Sequence, residues 1–586
     1  MTANGTLDMH TPDSSSTEGS IDWAEKRYLL VDDFVGIRQL LRESLRNLGA
    51  KHIDQAASGG EAMVLLSKTR YDVVLCDYNL GDGKNGQQVL EEARIRNLML
   101  PSSVWLMVSA EKSVESVMGA AEHQPDAYII KPITEGVLLT RLNRVWHKKQ
   151  IFREIDQAFV DKDYLRAARL CEEQIVHNPL HEIDLLRMKA TLLIKSGEPE
   201  QALAVYEKVL EERDYNWARC GLAKIRMANG ELESARLMFQ AVLADNRFYI
   251  DAFDQLAHSY HLQGKTEEAF DVLEKAAKLS PNSVPRQRSL GQAALKLGNI
   301  PVAEKAFRKC IEIGEFSVMK TVDAYLGLAR VCGQKNDTKE AIRLLNAAVH
   351  QFGGDQVELR AKITEGLVYH ESGDYRRARK SGDELEMMLA DENKQRPDAA
   401  TCLDMATLLF AVGVKEAPVG LLCYVTRNNH DNVPLLEDVQ KIFDKARMGD
   451  EGMELIKSSR KEAADMMNKG VLLWKTGQLL QAVEWMRVAR KALPHNMRIL
   501  FNSAQILISL LQQTGYVREL AEEAIGVLMH VDAIAPGQQR FAQLMEQLAL
   551  LAPVSGVVAA AAASEYEAAN GAIPEDARSR RGAGAE

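Results

Sequence analysis

The chain has 586 residues, 46% of them hydrophobic and 26% charged, and carries a formal net charge of -10. That length is more than one hydrophobic core serves, so several domains or an extended array are expected. The acidic balance argues against direct nucleic-acid binding, which needs clustered Lys and Arg; the short cluster Arg376, Arg377, Arg379 and Lys380 reads as a solvated helix face.

The cysteines form no C-x-x-C pair and no zinc spacing with histidine, a usage that fits a reducing cytoplasm. No stretch approaches the ~20 apolar residues of a membrane span, and the polar first residues do not resemble a signal peptide.

Residues 1–24 are rich in Ser, Thr, Asp and Gly and are expected to be a disordered leader. From 25 to 149, short apolar runs alternate with amphipathic stretches. Tyr28–Val31, a short segment near Ile53, Asp72–Cys76, Val104–Val108 and Ala127–Ile130 read as strands. Helices are expected from about Ile37 to Leu48, Glu61 to Thr69, Gln87 to Arg96, Val114 to Glu122, and from Thr134 onward. This alternation predicts a doubly wound α/β domain with a five-stranded parallel sheet, whose sites lie outside the carboxyl ends of the strands. Ile151, Ile155 and Phe159 follow Trp146 with no Gly or Pro between, which predicts a nearly unbroken helix leading out of the domain.

From 150 to 550 the strand signal disappears and an all-α pattern repeats. A turn followed by alanine recurs at Asp163/Ala167, Gly197/Ala202, Gly230/Ala235, Gly264/Ala269 and Gly298/Ala303, and again at Asn336/Ala341, Gly373/Ala378 and Gly477/Ala482. A small residue sits twelve positions before the alanine (Ala257, Gly291, Ala329, Gly366, Gly470), an aromatic often four after it (Tyr206, Phe239, Phe307), and a proline twelve after it at Pro179, Pro281 and Pro494. Small residues let two antiparallel helices approach, glycine reverses the chain, and proline ends the second helix. The pattern resembles the tetratricopeptide repeat, with about nine helix pairs, degenerate near 399–460 where Pro418 replaces the alanine. Such arrays bind proteins. Residues 551–586, rich in alanine and glycine, are expected to be a disordered tail.

Chemistry concentrates at the strand ends of the first domain. Asp32 and Asp33 follow the first strand, Asp77 the third, Ser109 the fourth and Lys131 the fifth. Gathered carboxylates repel and stay ionised beside a cation, and an all-oxygen set suits Mg²⁺. A carboxylate then attacks phosphorus, with a lysine and a hydroxyl on the phosphoryl oxygens.

Leu30-Val31-Asp32-Asp33, Val74-Leu75-Cys76-Asp77-Tyr78, Val108-Ser109-Ala110 and Ile130-Lys131-Pro132 resemble the motifs of two-component response-regulator receiver domains of the chemotaxis-regulator type. The resemblance implies that Asp77 is the phosphoacceptor, fed by a histidine kinase or phosphotransfer protein. It implies Mg²⁺ on Asp33, Asp77 and the backbone carbonyl of Asn79, with Asp32 helping through water. Ser109 and Lys131 would read the phosphoryl group, Ser109 and Tyr128 would switch, and Asn79 and Glu111 would tune a short-lived phosphoryl state. The loop after Asp77 departs from the family by lacking a proline. Its Gly81-x-Gly83-x-x-Gly86 matches a dinucleotide fingerprint, yet it follows the third strand and lacks the acid about 20 residues on.

The resulting expectation is a cytoplasmic, non-enzymatic adaptor in which phosphorylation alters protein binding by the repeats. Self-association into a homo-oligomer is compatible with it. The alternative is a transcriptional regulator acting on DNA directly or through a partner.

Overall fold

The computed structural model describes residues 21–110, 125–389, 396–535 and 539–551, in two compact units whose main division falls after Lys162. In the first unit, strands β1 (Arg27–Val31), β2 (His52–Ala56), β3 (Val73–Asp77), β4 (Val104–Ser109) and β5 (Ala127–Ile130) pair in parallel in the order β2-β1-β3-β4-β5. Helices α1 (Val35–Asn47), α2 (Gly59–Lys68), α3 (Gly86–Ile95) and α4 (Glu135–Gln150) cover its faces. The helix expected at Val114–Glu122 lies outside the described residues.

β3 and β4 are buried along their whole length and apolar up to their last residues, Asp77 and Ser109, as central parallel strands covered on both faces must be. Successive side chains point to opposite faces. Leu29, Val74 and Met107 therefore pack with Leu66 of α2 and Leu90 of α3. Leu30, Leu75 and Leu106 pack with Leu45 of α1 and Leu142 of α4. Each such burial contributes about 1.5–3 kcal/mol. The strand order reverses between β1 and β3, which opens a crevice at their carboxyl ends.

Two expectations need correction at the edges of this unit. Residues 21–24, placed in a disordered leader, belong to the fold: Trp23 is buried, its ring lies 5.2 Å from that of Trp146, and its carbonyl accepts from the Tyr28 hydroxyl at 3.1 Å. An indole has enough apolar area to hold a short polar segment down. The helix out of the unit is also broken. α4 ends at Gln150, and a 3-10 turn at Arg153–Ile155 precedes a short helix at Asp156–Val160. The bend brings Asp156 to the start of β4, where it accepts from the Ser102 backbone N–H at 3.0 Å and from the Ser102 hydroxyl. Ile151, Phe152 and Ile155 are buried in the turn.

The second unit is built of helices joined in antiparallel pairs. At the turn within each pair, a residue with positive φ reverses the chain: Gly197, Gly230, Gly264, Gly298, Gly373 and Gly477, with Asn336 (φ 61°) in the same role. The following N–H reaches five residues back and closes a six-residue turn, as from Asn299 to the Ala294 carbonyl at 2.8 Å and from Asp337 to that of Cys332 at 2.9 Å. This six-residue closure satisfies carbonyls that a helix end otherwise leaves bare.

The aromatic and small positions interlock. Phe307 lies between Gly291 of helix Val284–Lys296 and Gly327 of helix Val322–Gln334, where an added Cβ would meet its ring at 2.6 and 2.4 Å. Tyr206 fills the space over Gly221 in the same way. The degenerate segment keeps the architecture. Gly413 (φ 88°) makes the turn, and buried Pro418 falls in the first turn of helix Glu416–Asn428, where no intrahelical N–H is lost. Far-apart pairs also meet within this unit: Lys296 donates to Asp438 at 2.8 Å, and Gly264 lies against Pro434 and Glu437.

Candidate functional site

The crevice at the carboxyl ends of β1 and β3 gathers the acids. Asp32 and Asp77 are buried at 1% and 6% exposure, while Asp33 is exposed. Carboxylate oxygens of Asp32, Asp33 and Asp77 all lie within 4.8 Å of one another. The Phe34 N–H donates to Asp32 Oδ1 at 2.9 Å and aims that carboxylate inward.

Lys131 enters from the end of β5. Its backbone N–H donates to the Ser109 carbonyl at 2.8 Å, extending the β4–β5 ladder. Its ammonium then donates to Asp77 Oδ2 at 2.6 Å and to Asp32 Oδ2 at 2.9 Å. Burial pushes the Asp77 carboxyl up from its ordinary value, and Asp32 adds to this, while Lys131 and the Tyr78 N–H pull it down without cancelling the rise. Burial alone would lower Lys131; the hydrogen bonds and charges of Asp77 and Asp32 outweigh it and leave its pKa raised.

The donor set fits a hard divalent cation. Three carboxylates face the Lys131 ammonium, with the Arg38 guanidinium held on the Asp32 carbonyl oxygen at 2.5 Å, so acids outnumber cations. The exposed side at Asp33 leaves room for the waters that Mg²⁺ keeps.

The glycine-rich loop after Asp77 has a structural account. Gly81 and Gly83 turn it at φ 68° and 101°. An added Cβ on Gly86 would stand 2.0 Å from the Asp77 carbonyl oxygen, and one on Gly59 2.2 Å from that of Lys84. The Gly86 N–H donates to Tyr78 O at 2.9 Å, and Asn85 and Gln88 cap α3 reciprocally. Lys84 pairs with Glu92, whose side chain is 6% exposed, and closes the base of the loop. The three glycines of the G-x-G-x-x-G match thus serve the turn and the approach of α3 to β3.

Comparison with known proteins decides the family. A response regulator receiver domain model matches residues 28–143. Chemotaxis protein CheY-3 of Vibrio cholerae is 31% identical over 122 residues, which is 21% of this chain and 92% of the relative. The chain belongs to the response-regulator receiver family. Chemotaxis protein CheY of Pseudomonas aeruginosa is 29% identical over 122 residues, 21% of this chain and 97% of its own length. After the receiver, tetratricopeptide repeat models match 193–256, 250–283 and 288–356. A solved tetratricopeptide repeat protein from Parabacteroides merdae covers 48% of this chain and 98% of itself at 19% identity, with a TM-score of 0.32. A receiver joined to tetratricopeptide repeats makes this a phosphorylation-regulated signalling protein.

Of the residues expected in the receiver site, Asp32, Asp33, Asp77 and Lys131 come together, and Ser109 ends β4 beside β3, buried at 2% exposure. Asn79 is exposed in the loop two residues past Asp77. Tyr128 pairs with Met107 across β4–β5 and is half-buried against the core layer of Trp105 and Met107. Glu111 lies outside the described residues. Sequence reading missed the Lys84–Glu92 pair. Its signal was an acid, Glu92, on the face of α3 that buries Val89 and Ala93, because a buried carboxylate needs a cationic partner.

Proposed function

We propose that this chain is a phosphorylation-controlled adaptor. A histidine kinase or phosphotransfer protein places a phosphoryl group on Asp77, and the state of Asp77 alters protein binding by the helical repeats. The observation that carries the reading is the convergence of Asp32, Asp33 and Asp77 within 4.8 Å, with one lysine bonded to two of them.

In this reading an Asp77 carboxylate oxygen attacks the phosphorus of a phosphohistidine. The new P–O bond forms as the P–N bond breaks, and the imidazole leaves and takes up a proton. Held by Asp32, Asp33, Asp77 and the backbone carbonyl of Asn79, Mg²⁺ would offset charge on the transferring group. Lys131, already 2.6 Å from Asp77, moves its hydrogen bond to a phosphoryl oxygen, and the Ser109 hydroxyl donates to another. Ser109 and Tyr128 then report the phosphoryl state to the surface, and Asn79 and Glu111 set its short lifetime. The chain acts as no metabolic enzyme in this scheme.

Labelling with a radioactive phosphoryl donor, with and without Mg²⁺, tests the assignment. Wild type is expected to label and Asp77→Asn is not; equal labelling of the two overturns the acceptor.

A further inference from the structure

The helical repeats fold back on themselves. Arg330 donates to Asp404 at 3.3 Å, Lys296 to Asp438 at 2.8 Å and Gln543 to Glu200 at 3.0 Å, and Gly264 lies against Pro434 and Glu437. The pairs are nested, with Arg330–Asp404 innermost, Lys296–Asp438 outside it and Glu200–Gln543 outermost. Nesting of this kind describes two arms that face each other across a bend.

The bend is at helix Asp355–Glu371. Its Ala361 and Val368 join an apolar cluster with Phe307, Leu328 and Leu345 of the first arm. Its Ile363 and Leu367 join another with Leu408, Leu421 and Phe443 of the second. One helix, apolar on two faces, thus serves both arms and makes their joint. The contacts across the gap are of another kind. Lys296 and Asp438 are 37% and 30% exposed, Arg330 and Asp404 32% and 45%. Ion pairs this wet are weak and screened by salt, so the arms can part while each keeps its core.

The bridges cross a groove. Helices Ile250–Leu262 and Val284–Lys296 of the first arm line a cavity of about 630 Å³ with His258, His261 and Gln292, and Asp438 enters it from the second arm. Gln292 also lines the neighbouring cavity that holds Arg330 and Asp404, so the groove runs on past both ion pairs. A chain laid along it would have to pass Gly264–Pro434, Lys296–Asp438 and Arg330–Asp404 in turn.

We propose that the array is a self-latched clamp. With Lys296 on Asp438, the second arm bars the groove of the first, and a partner segment enters only when the arms part. The gate rests on the reading of the repeats as protein-binding, and adds to it what closes the groove.

Full-length protein carrying Cys423→Ser is spin-labelled at Glu267→Cys and Lys445→Cys, exposed positions on helices Thr266–Leu279 and Val433–Lys445. Electron–electron resonance is expected to read one short distance. Lys296→Glu sets two carboxylates face to face and Asp438→Lys two ammoniums, and each should shift the distance to longer values. The charge-exchanged double variant should return it. In protein with Lys296 and Asp438 intact, salt at about 1 M, where screening acts within roughly 3 Å, should produce the same lengthening. A distance that neither substitution nor salt moves, or that the exchange does not return, overturns the latch.

The same latch variants, unlabelled, are then applied to random dodecapeptides, which reach about 40 Å when extended and so outrun three neighbouring helices at about 10 Å each. A latch closed most of the time lowers apparent affinity by the open fraction, so both single variants should bind about tenfold or more tightly than wild type. The double variant should return to the wild-type value. A gain with only one sign of charge, or equal binding throughout, overturns the gate and leaves the adaptor reading standing. Absence of peptide binding by every variant overturns both.

Discussion

The receiver and the repeat array solve the placement of side chains in opposite ways. In the receiver, Asp32, Asp77 and Lys131 are far apart in sequence and meet only because parallel strands end at one edge. In the array, partners such as Phe307 and Gly291 lie within one helix pair or its neighbour, and the same contact is rebuilt repeatedly. Chemistry in the first therefore hangs on single residues, while stability in the second is spread along the chain.

Substitutions test that contrast. The largest effect belongs to Asp77→Asn, which should abolish phosphoryl labelling while leaving the thermal melt of the array unchanged. A shifted array melt would break the comparison. Next, Phe307→Ala empties a position walled by two glycines and should cost about 3–5 kcal/mol. That loss is expected in the helical transition only, with receiver labelling intact. Third, Lys84→Met leaves the buried Glu92 carboxylate with Arg96, at 2.8 Å, as its remaining cationic partner and should destabilise the receiver by about 1.5–3 kcal/mol, the worth of one charged hydrogen bond. It should also weaken Mg²⁺ binding several-fold, measured by tryptophan fluorescence, through the loosened loop. Adding Glu92→Leu should restore the stability but not the loop, and full recovery of Mg²⁺ affinity would contradict the positioning role.

The smallest effect is in the array's pH response. Burial lowers the pKa of both His430 and His495, and His530 beside His495 lowers it further. Their folded pKa values lie below the unfolded value, so protonation favours the unfolded state. The stability they allow is present above about pH 6.5, the ordinary histidine value, and falls as pH drops through it. The array's melting midpoint should decline between pH 7 and 5, and His495→Gln should flatten that decline.

Much of this was readable in the residues. The apolar runs of β3 and β4 announce central strands, and strand-end acids have few roles in such a sheet. The turn-and-alanine spacing exposed the helix pairs because every turn needs a left-handed residue. What stayed hidden depends on tertiary contact. Trp23 sits in a polar leader, and nothing local says it meets Trp146. The break after Gln150 has no Gly or Pro to announce it and follows from Asp156 reaching Ser102. Arg286 looks like any surface arginine, yet its side chain is fully buried and forked onto Asp254 at 2.9 and 2.7 Å.

The contact between Lys296 and Asp438 has an evolutionary corollary. Arrays held together only by adjacent units gain and lose whole repeats readily, since each junction resembles the next. Here a duplication or deletion between Gly264 and Pro434 would carry these partners out of register and separate them. Relatives that keep the charge pair should therefore vary in length outside this interval, toward the receiver-proximal or the terminal repeats, and hold the number of helices within it constant.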